Sequence, residues 1–406
     1  MKRLRQAVGE TQAQSAQAIG VSRANLAQWE GGKYLPSIGN ARRLDEHLRA
    51  DNLLVRLVVA ARSRGARRQS ADSRPNTADT VGSLTTVFRQ VGDALLGYLV
   101  RYADGRPHGW RHNLQTDKHP TALGTAYGIR ALLEVGEPYV DLGGLGESLL
   151  AMQAPQGGWM SRSGSNRPEA TAAALDALFR MGTTLSADDG LAMLDESLDD
   201  FARTRPYLLS SVLQTALRLR PESPLVDRLV DDLLAARLRF DGLLLWPEKV
   251  EPGLWLPEPS VAHTARAVLA LRGVMALRGI GHNRDRDDIR VASDTAIDWL
   301  VDRIHPDDGV TEELIRPTPD GEGTTRVFIR HFTSALVVQA LSGVPDVPAS
   351  RLHAALNTLW SRYNREISLW AWGNGDLPVW MTMDSVIALR SAALALAASP
   401  VSPPGD

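Results

Sequence analysis

Residues 171–178 read Thr171-Ala-Ala-Ala-Leu-Asp-Ala-Leu178, a run of small helix-forming residues with a hydroxyl at its head. The pattern occurs first as Thr125-Ala-Tyr-Gly-Ile-Arg-Ala-Leu132 and later as Ser210-Ser-Val-Leu-Gln-Thr-Ala-Leu217 and Thr264-Ala-Arg-Ala-Val-Leu-Ala-Leu271. Two more copies are Ser334-Ala-Leu-Val-Val-Gln-Ala-Leu341 and Ser385-Val-Ile-Ala-Leu-Arg-Ser-Ala392. The copies lie roughly 40–70 residues apart, a period that suits one helix pair per repeat with loops of variable length. Alanine is the strongest helix former, and small residues at these positions allow close helix approach. Six inner helices in one body are the expectation.

Between the copies lie more polar amphipathic segments that end in Gly/Trp turns. They include Gly105-Arg-Pro-His-Gly109-Trp110, Leu149-Leu-Ala-Met-Gln153-Ala-Pro-Gln-Gly157-Gly158-Trp159 and Leu233 to Trp246, with Asp241-Gly242 at its turn. A fourth runs from Trp299 to Asp308-Gly309-Val310. Gln153, Gly157 and Trp159 reproduce the Gln-x3-Gly-x-Trp core of the QW repeat, in which Gln would cap a helix end while Trp stacks over the following turn. Over about residues 85–398 the chain thus resembles the α/α-toroid of the terpene cyclase and prenyltransferase superfamily. The fold class this implies is all-α, with an (α/α)6 toroid as the body; an open α-solenoid of the same helix pairs is the alternative.

In such a toroid the inner-helix N-termini face a central cavity. At or just before those starts stand His119, Glu169, Ser210, His263, His331 and Asp384, while Trp255, Trp370, Trp372 and Trp380 in nearby loops are candidates to line it. Histidines and carboxylates around one mouth can hold a metal or move protons. These do not fall in one register, so caps facing water are expected, with no metal and no cofactor. Protein prenyltransferases and lanthipeptide cyclases use cysteines, and this chain has none. Class II terpene cyclases protonate substrate with Asp-x-Asp-Asp. Asp285-Arg286-Asp287-Asp288 matches those letters but sits among Gly281, His282, Asn283 and Arg284, the composition of a solvated loop, whereas a proton donor needs a dry pocket. The pairs Glu312-Glu313, Asp199-Asp200 and Asp231-Asp232 read as solvated faces of helices or loops. There is no Walker loop, dinucleotide fingerprint or metalloprotease motif.

Working toward the N-terminus, residues 11–30 read Thr11-Gln-Ala-Gln-Ser-Ala-Gln-Ala-Ile-Gly20-Val-Ser22-Arg-Ala-Asn-Leu26-Ala-Gln-Trp29-Glu30. Thr11 is placed to cap a helix that buries Ser15, Ala16 and Ile19, and Gly20 to end it in a left-handed turn. Ser22 caps the next helix, whose Leu26 and Trp29 return to the core. Ala16, Gly20, Val21, Ser22, Leu26, Glu30, Gly32 and Pro36 together resemble the phage-repressor (Cro/CI, XRE-type) helix-turn-helix family over residues 3–57, a small five-helix domain. A helical hairpin for protein contacts is the alternative. The resemblance implies that Arg23 to Trp29 lie in the major groove. Arg23, Ala24 and Gln28 then meet base edges, Gln12, Asn25 and Lys33 serve the phosphate backbone, and Ser22 is counted with them among the DNA-binding residues.

Charge separates this head from the body. Residues 1–70 carry 13 Lys/Arg against 5 Asp/Glu, a net of +8, so the remainder carries −10 of the total −2. A basic module joined to an acidic one is expected of a DNA-binding head on a body with another task. The expected divisions are the head at 1–61, a flexible Arg/Ser-rich linker at 62–82, the toroid at 83–399 and a disordered tail at 400–406. No signal peptide or membrane span is apparent, so the expectation is a cytoplasmic bacterial protein without membrane contact. The function expected is a DNA-binding transcriptional regulator, with double-stranded DNA as partner. Its toroid would sense an apolar effector, bind a protein partner or dimerise, since two half-sites call for a homodimer. The alternatives are a cyclase-like enzyme with a DNA-binding head, and a scaffold of a bacterial defence or toxin–antitoxin-like system that autoregulates through that head.

Overall fold

The computed structural model describes residues 1–31, 36, 38–50, 53–54, 57–58, 77–116, 119–136, 142–160, 167–183, 185–250, 258–278, 287–302, 311–317, 323–345 and 347–398. The chain divides into two units, Met1–Thr80 and Val81–Asp406. Most of the expected linker, residues 62–76, and the expected tail at 400–406 lie outside the described residues. Thr77, inside the span expected as linker, already begins a helix.

The first unit holds α1 (Lys2–Ala7), α2 (Gln12–Ala18), α3 (Arg23–Glu30) and α4 (Ile38–His47), with further helical residues at 53–54 and 57–58. Thr11 caps α2 in a reciprocal box: its hydroxyl accepts from the Gln14 amide while the Gln14 side chain accepts from the Thr11 N–H. Gly20 turns the chain at φ +70, a conformation a side chain resists, and Ser22 then caps α3 by accepting from the Asn25 N–H. Ala16, Ile19, Leu26, Ala41, Leu44, Leu48, Leu54 and Val58 form the core. Arg5 locks α1 onto the end of α3 through two bonds to the Glu30 carboxylate, at 2.7 and 2.9 Å.

Among the described residues the second unit is helical apart from four small hairpins and two isolated bridges. In chain order α5 (Thr77–Gly97) leads to α6 (Ala122–Val135), α7 (Leu142–Ala151) to α8 (Pro168–Arg180), and α9 (Ala187–Glu196) with the short α10 (Asp200–Arg203) to α11 (Pro206–Leu219). Then α12 (Pro224–Ala235) leads to α13 (Val261–Arg278), α14 (Asp287–Asp302) to α15 (Thr333–Leu341), and α16 (Ala349–Trp360) to α17 (Val379–Ala398). The six inner helices α6, α8, α11, α13, α15 and α17 each pack on the next, and α17 packs back on α6. The ring is therefore closed, an (α/α)6 toroid rather than an open solenoid. Antiparallel hairpins fill four of the outer-to-inner turns: β1 (Val100–Arg101) with β2 (Pro107–Gly109), β3 (Leu238–Phe240) with β4 (Leu243–Leu245), β5 (Thr311–Pro317) with β6 (Thr324–Arg330), and β7 (Tyr363–Asn364) with β8 (Leu369–Trp370). Glu312 and Glu313, expected on a helix or loop, lie in β5.

One side chain does the same work in four of the six pairs. Trp110, Trp159, Trp246 and Trp370 are fully buried, and each indole N–H donates to a carbonyl at the C-terminal end of the preceding outer helix. The acceptors are Leu95 (2.7 Å), Leu149 (2.8 Å), Leu233 (2.7 Å) and Leu359 (3.1 Å). A threonine hydroxyl on the following inner helix grips the same tryptophan's backbone. Thr125, Thr171 and Thr382 accept the N–H of Trp110, Trp159 and Trp370, and Thr264 donates to the Trp246 carbonyl. Helix C-termini leave carbonyls with accepting capacity to spare, and this clamp uses it to tie three elements in one step; Leu95, Leu149 and Leu359 also accept the backbone N–H of Tyr98, Met152 and Arg362.

The sequence expectation had Gln capping the helix end. Instead the Gln153 amide donates to Met193 Sδ, and tryptophan itself reaches the carbonyl. In the last repeat the hydroxyl is Thr382, one turn before the expected Ser385, whose Oγ donates back to Met381. Gly128 shows how close the packing is, since a Cβ there would stand 2.4 Å from the Trp110 ring.

Replacing Trp159 with Phe removes the N–H that ties the turn to Leu149, whose carbonyl keeps only the Met152 N–H, and leaves part of the indole volume empty; it should cost about 1–3 kcal/mol of toroid stability in urea unfolding. A loss confined to a few tenths would show that the clamp does not hold the turn.

Candidate functional sites

On α3 successive side chains advance about 100°, so Arg23, Ala24 and Gln28 fall within one arc of about 140°, and Leu26 points away from it. The burial agrees: Leu26 is in the core while Arg23, Ala24, Asn25 and Gln28 are exposed, as is Ser22 at the cap. Gln12, half-buried at the first turn of α2, donates its amide to Glu30 Oε2 at 2.8 Å, the same carboxylate that Arg5 grips. One buried ion pair thereby fixes the side chain expected to meet a phosphate. Lys33 lies outside the described residues.

The second candidate is the axis of the ring, a cavity of about 870 Å³. His112, His119, Arg167, Glu169, Tyr207, Arg330, His331, Trp372 and Trp380 line it on the side of the inner-helix starts, and Tyr127, Arg130, Gln214, Arg218, Arg266, Gln339 and Asp384 lie further along those helices. Of the expected lining set, His119, Glu169, His331, Trp372 and Asp384 border the cavity. Ser210 and His263 do not. Ser210 is buried, its Oγ donating to the Pro206 carbonyl. His263 is buried with Nδ1 2.7 Å from Ser260 Oγ, and its ring lies edge-on to His331 at 4.8 Å. The expectation that the six residues face water as caps fails for all but His119: the other five are buried, and α11 and α17 begin earlier than expected, at Pro206 and Val379, so that Ser210 and Asp384 lie inside their helices rather than at the starts. Trp370 belongs to a clamp rather than to the lining, and Trp255 lies outside the described residues.

Charge in this space is mostly cancelled in pairs. One Glu169 oxygen accepts from two Arg167 nitrogens, at 2.6 and 2.7 Å. The Arg330 guanidinium lies over the Trp372 ring at 4.0 Å. Asp176, behind the wall and 1% exposed, faces Arg130 at 2.7 Å, Arg218 at 2.8 Å and Arg180 at 3.2 Å. Burial alone would raise its pKa, but the three guanidiniums prevail and hold it below the usual carboxylate range. Asp384 has Arg266 at 3.8 Å as its one ion-pair partner among the described residues, with Arg130 acting from further away, so burial prevails and its pKa is raised. His112 opens onto the cavity yet has protein on nearly every side, and that desolvation pushes its pKa down to about 4. The Tyr127 hydroxyl, also desolvated, is pushed up to about 12.

Among the described residues no group of three or more His, Asp or Glu is arranged to hold a metal ion. The Asp-x-Asp-Asp letters lead away from the cavity: Asp287 and Asp288 begin α14 on the surface, Asp287 is 73% exposed and pairs with Arg290 at 3.0 Å, and Asp285 lies outside the described residues. Neither described aspartate borders the cavity. What sequence reasoning missed is the row of arginines on the inner helices, which a helical period alone would place on an ordinary solvated face.

Residues 1–58 match the family described as helix-turn-helix domain, which shows a helix-turn-helix head on this chain. No curated protein matches the chain. Among solved structures, a family 76 glycoside hydrolase from a bovine Bacteroides thetaiotaomicron strain is similar, with 10% identity, 78% of each chain covered and a TM-score of 0.50. A protein from Actinoplanes has 19% identity over 76% of this chain and 99% of its own, with a TM-score of 0.49. An α-1,6-mannanase from Salegentibacter has 10% identity over 77% and 99%, also with a TM-score of 0.49. Identities this low speak to fold alone: the second unit is a toroid of the kind seen in glycoside hydrolases. No helix among the described residues is long and apolar enough to cross a membrane.

Two substitutions test the electrostatics. Asp176→Asn strands the guanidiniums of Arg130 and Arg218, while Arg180 keeps Glu134, and should cost about 3–5 kcal/mol of stability. Asp384 has the opposite sign. A carboxyl whose folded pKa exceeds its unfolded value weakens the fold as pH rises between the two, because the native state gives up a proton it holds more tightly. Asp384→Asn should thus exceed the parent in urea unfolding at pH 7, and the advantage should shrink as pH falls toward about 4, the unfolded value. An advantage independent of pH would mean that Asp384 is not the group responsible.

Proposed function

We propose that the chain is a DNA-binding transcriptional regulator whose toroid cavity takes up a small-molecule effector. The observation that carries this reading is the pairing, in one chain, of a helix-turn-helix head with an exposed α3 face and a closed ring around an 870 Å³ cavity. A cavity of that size, with aromatic walls and a few placed polar groups, is of the kind that binds small ligands. Arg23 is suited to guanine O6/N7 and Gln28 to adenine N6/N7, with Gln12, Ser22, Asn25 and Lys33 toward the backbone. Two half-sites would be filled by two copies of the chain.

A second reading, an enzyme acting on glycans, is favoured by the likeness to the glycoside hydrolase fold and by the raised pKa of Asp384, a property of general acids. Such hydrolysis ordinarily needs a second carboxylate. The other cavity carboxylates are engaged, Glu169 by Arg167 and Asp376 by the amides of Asn113 and Asn374. None of the adjacent aspartate pairs among the described residues borders the cavity. The regulator reading therefore stands first.

A genome-wide DNA pull-down with the full chain should return a defined site. At that site Arg23→Ala should cost roughly 1–3 kcal/mol and relax one base position, while Gln12→Ala should weaken all sequences alike. Equal losses on cognate and random DNA for Arg23→Ala would displace α3 as the reading helix. Glycan hydrolysis by the parent chain, abolished by Asp384→Asn, would favour the enzyme.

A further inference from the structure

Every inner helix contributes one polar side chain to a belt of neighbours around the ring. They are Arg130 from α6, Asp176 from α8, Arg218 from α11, Arg266 from α13, Gln339 from α15 and Asp384 from α17. Asp176 joins Arg130 to Arg218, and Asp384 stands within the field of both Arg266 and Arg130. Gln339 donates to the Asp384 backbone carbonyl at 3.1 Å. Arg130, Arg218 and Gln339 border both the main cavity and a smaller one of about 230 Å³ that also touches Gly273, Leu277 and Ser391, further along the inner helices. The belt is therefore the waist of the channel.

Charge at this waist does not cancel. Three guanidiniums, those of Arg130, Arg218 and Arg266, face two carboxylates, and the Arg180 that also reaches Asp176 spends its charge on Glu134 at 3.0 Å. The surplus is visible locally. Arg218 is depressed below the usual arginine value, first by burial and then by Arg130 and Arg180, against the pull of Asp176. Arg266 Nε and Asp384 Oδ2 are buried without a hydrogen-bond partner among the described residues, and the two groups stand 3.8 Å apart, too far to satisfy each other. Buried donors without acceptors are costly, and a planar guanidinium fork matches the oxygens of a carboxylate or phosphate.

We infer that the waist of the toroid is a binding site for a small oxyanion, the carboxylate or phosphate group of a ligand, held by Arg266, Arg218 and Arg130. This rests on the effector reading above and names the chemistry of the effector's charged end. The rest of such a ligand would extend past Tyr127 toward Trp372 and Trp380, which border the same cavity.

The test uses the full chain, with inorganic phosphate and malonate titrated separately by calorimetry against sodium chloride of equal ionic strength. Binding of at least one of the two is expected, with malonate alone indicating a carboxylate ligand and phosphate alone a phosphorylated one. Arg266→Gln should weaken that binding at least tenfold, and Arg218→Gln should do the same if the first variant folds poorly. Arg228→Gln, on the outer surface, should leave it unchanged. Arg23→Ala should also leave it unchanged, which separates the waist from phosphate attraction at the head. Binding of neither anion above chloride overturns the site, as does binding that survives both waist substitutions. Binding at the waist with no change in affinity for cognate DNA would keep the site and overturn its role as the effector pocket.

Discussion

The hydrogen bond from a buried indole N–H to the last carbonyls of an outer helix is the constraint on which the second unit depends. It stops the outer helix, fixes the direction of the returning chain, and through a threonine hydroxyl sets the register of the next inner helix. Trp159 does all three through Leu149 and Thr171. Repeated at Trp110, Trp246 and Trp370, the device holds four of the six turns to one geometry, which favours closure of the helix pairs into a ring over drift into a solenoid. Closure in turn creates the cavity, because the inner helices converge on an axis that their alanines, threonines and glycines cannot fill.

The fold was legible where a local rule and a periodic one coincide. The hydroxyl-headed alanine runs marked the inner helices, and Thr11, Gly20 and Ser22 marked the head, since caps and left-handed turns act within a few residues. The clamp was half legible. Trp159 announced itself, yet the acceptor of its N–H is ten residues back, and Gln153 looked the better cap from spacing alone. The Ser385 register slipped by one turn for a related reason: Thr382 and Ser385 both head an apolar stretch, and only the position of Trp370 decides between them.

The candidate site was less legible because its chemistry is a sum over distant positions. Arg130, Arg218 and Arg266 are separated by 88 and 48 residues in the chain, and each alone reads as a charged helix face. His263 and Ser210, by contrast, looked like cavity residues from their place at inner-helix starts, yet their side chains turn to neighbours in the wall. Position along a helix is readable from sequence, whereas rotation about its axis depends on the partners that ring closure supplies.

The two carboxylates of the waist show what that closure does to acidity. Asp176 and Asp384 are about equally buried, and burial pushes both toward the neutral form. Three guanidiniums reverse the push at Asp176; one at 3.8 Å fails to do so at Asp384. Asp176 is thereby a structural counter-ion whose charge is committed. Asp384 keeps one oxygen without a hydrogen-bond partner among the described residues. An anion bound at Arg266 as proposed would draw that guanidinium away from Asp384 and favour the protonated carboxyl, and would thereby couple occupancy to the charge of α17 through one shared arginine. The same sharing recurs in the head, where Glu30 holds Arg5 and Gln12 together. In both units a group that faces the solvent or the cavity is positioned by an ion pair that the fold keeps out of water.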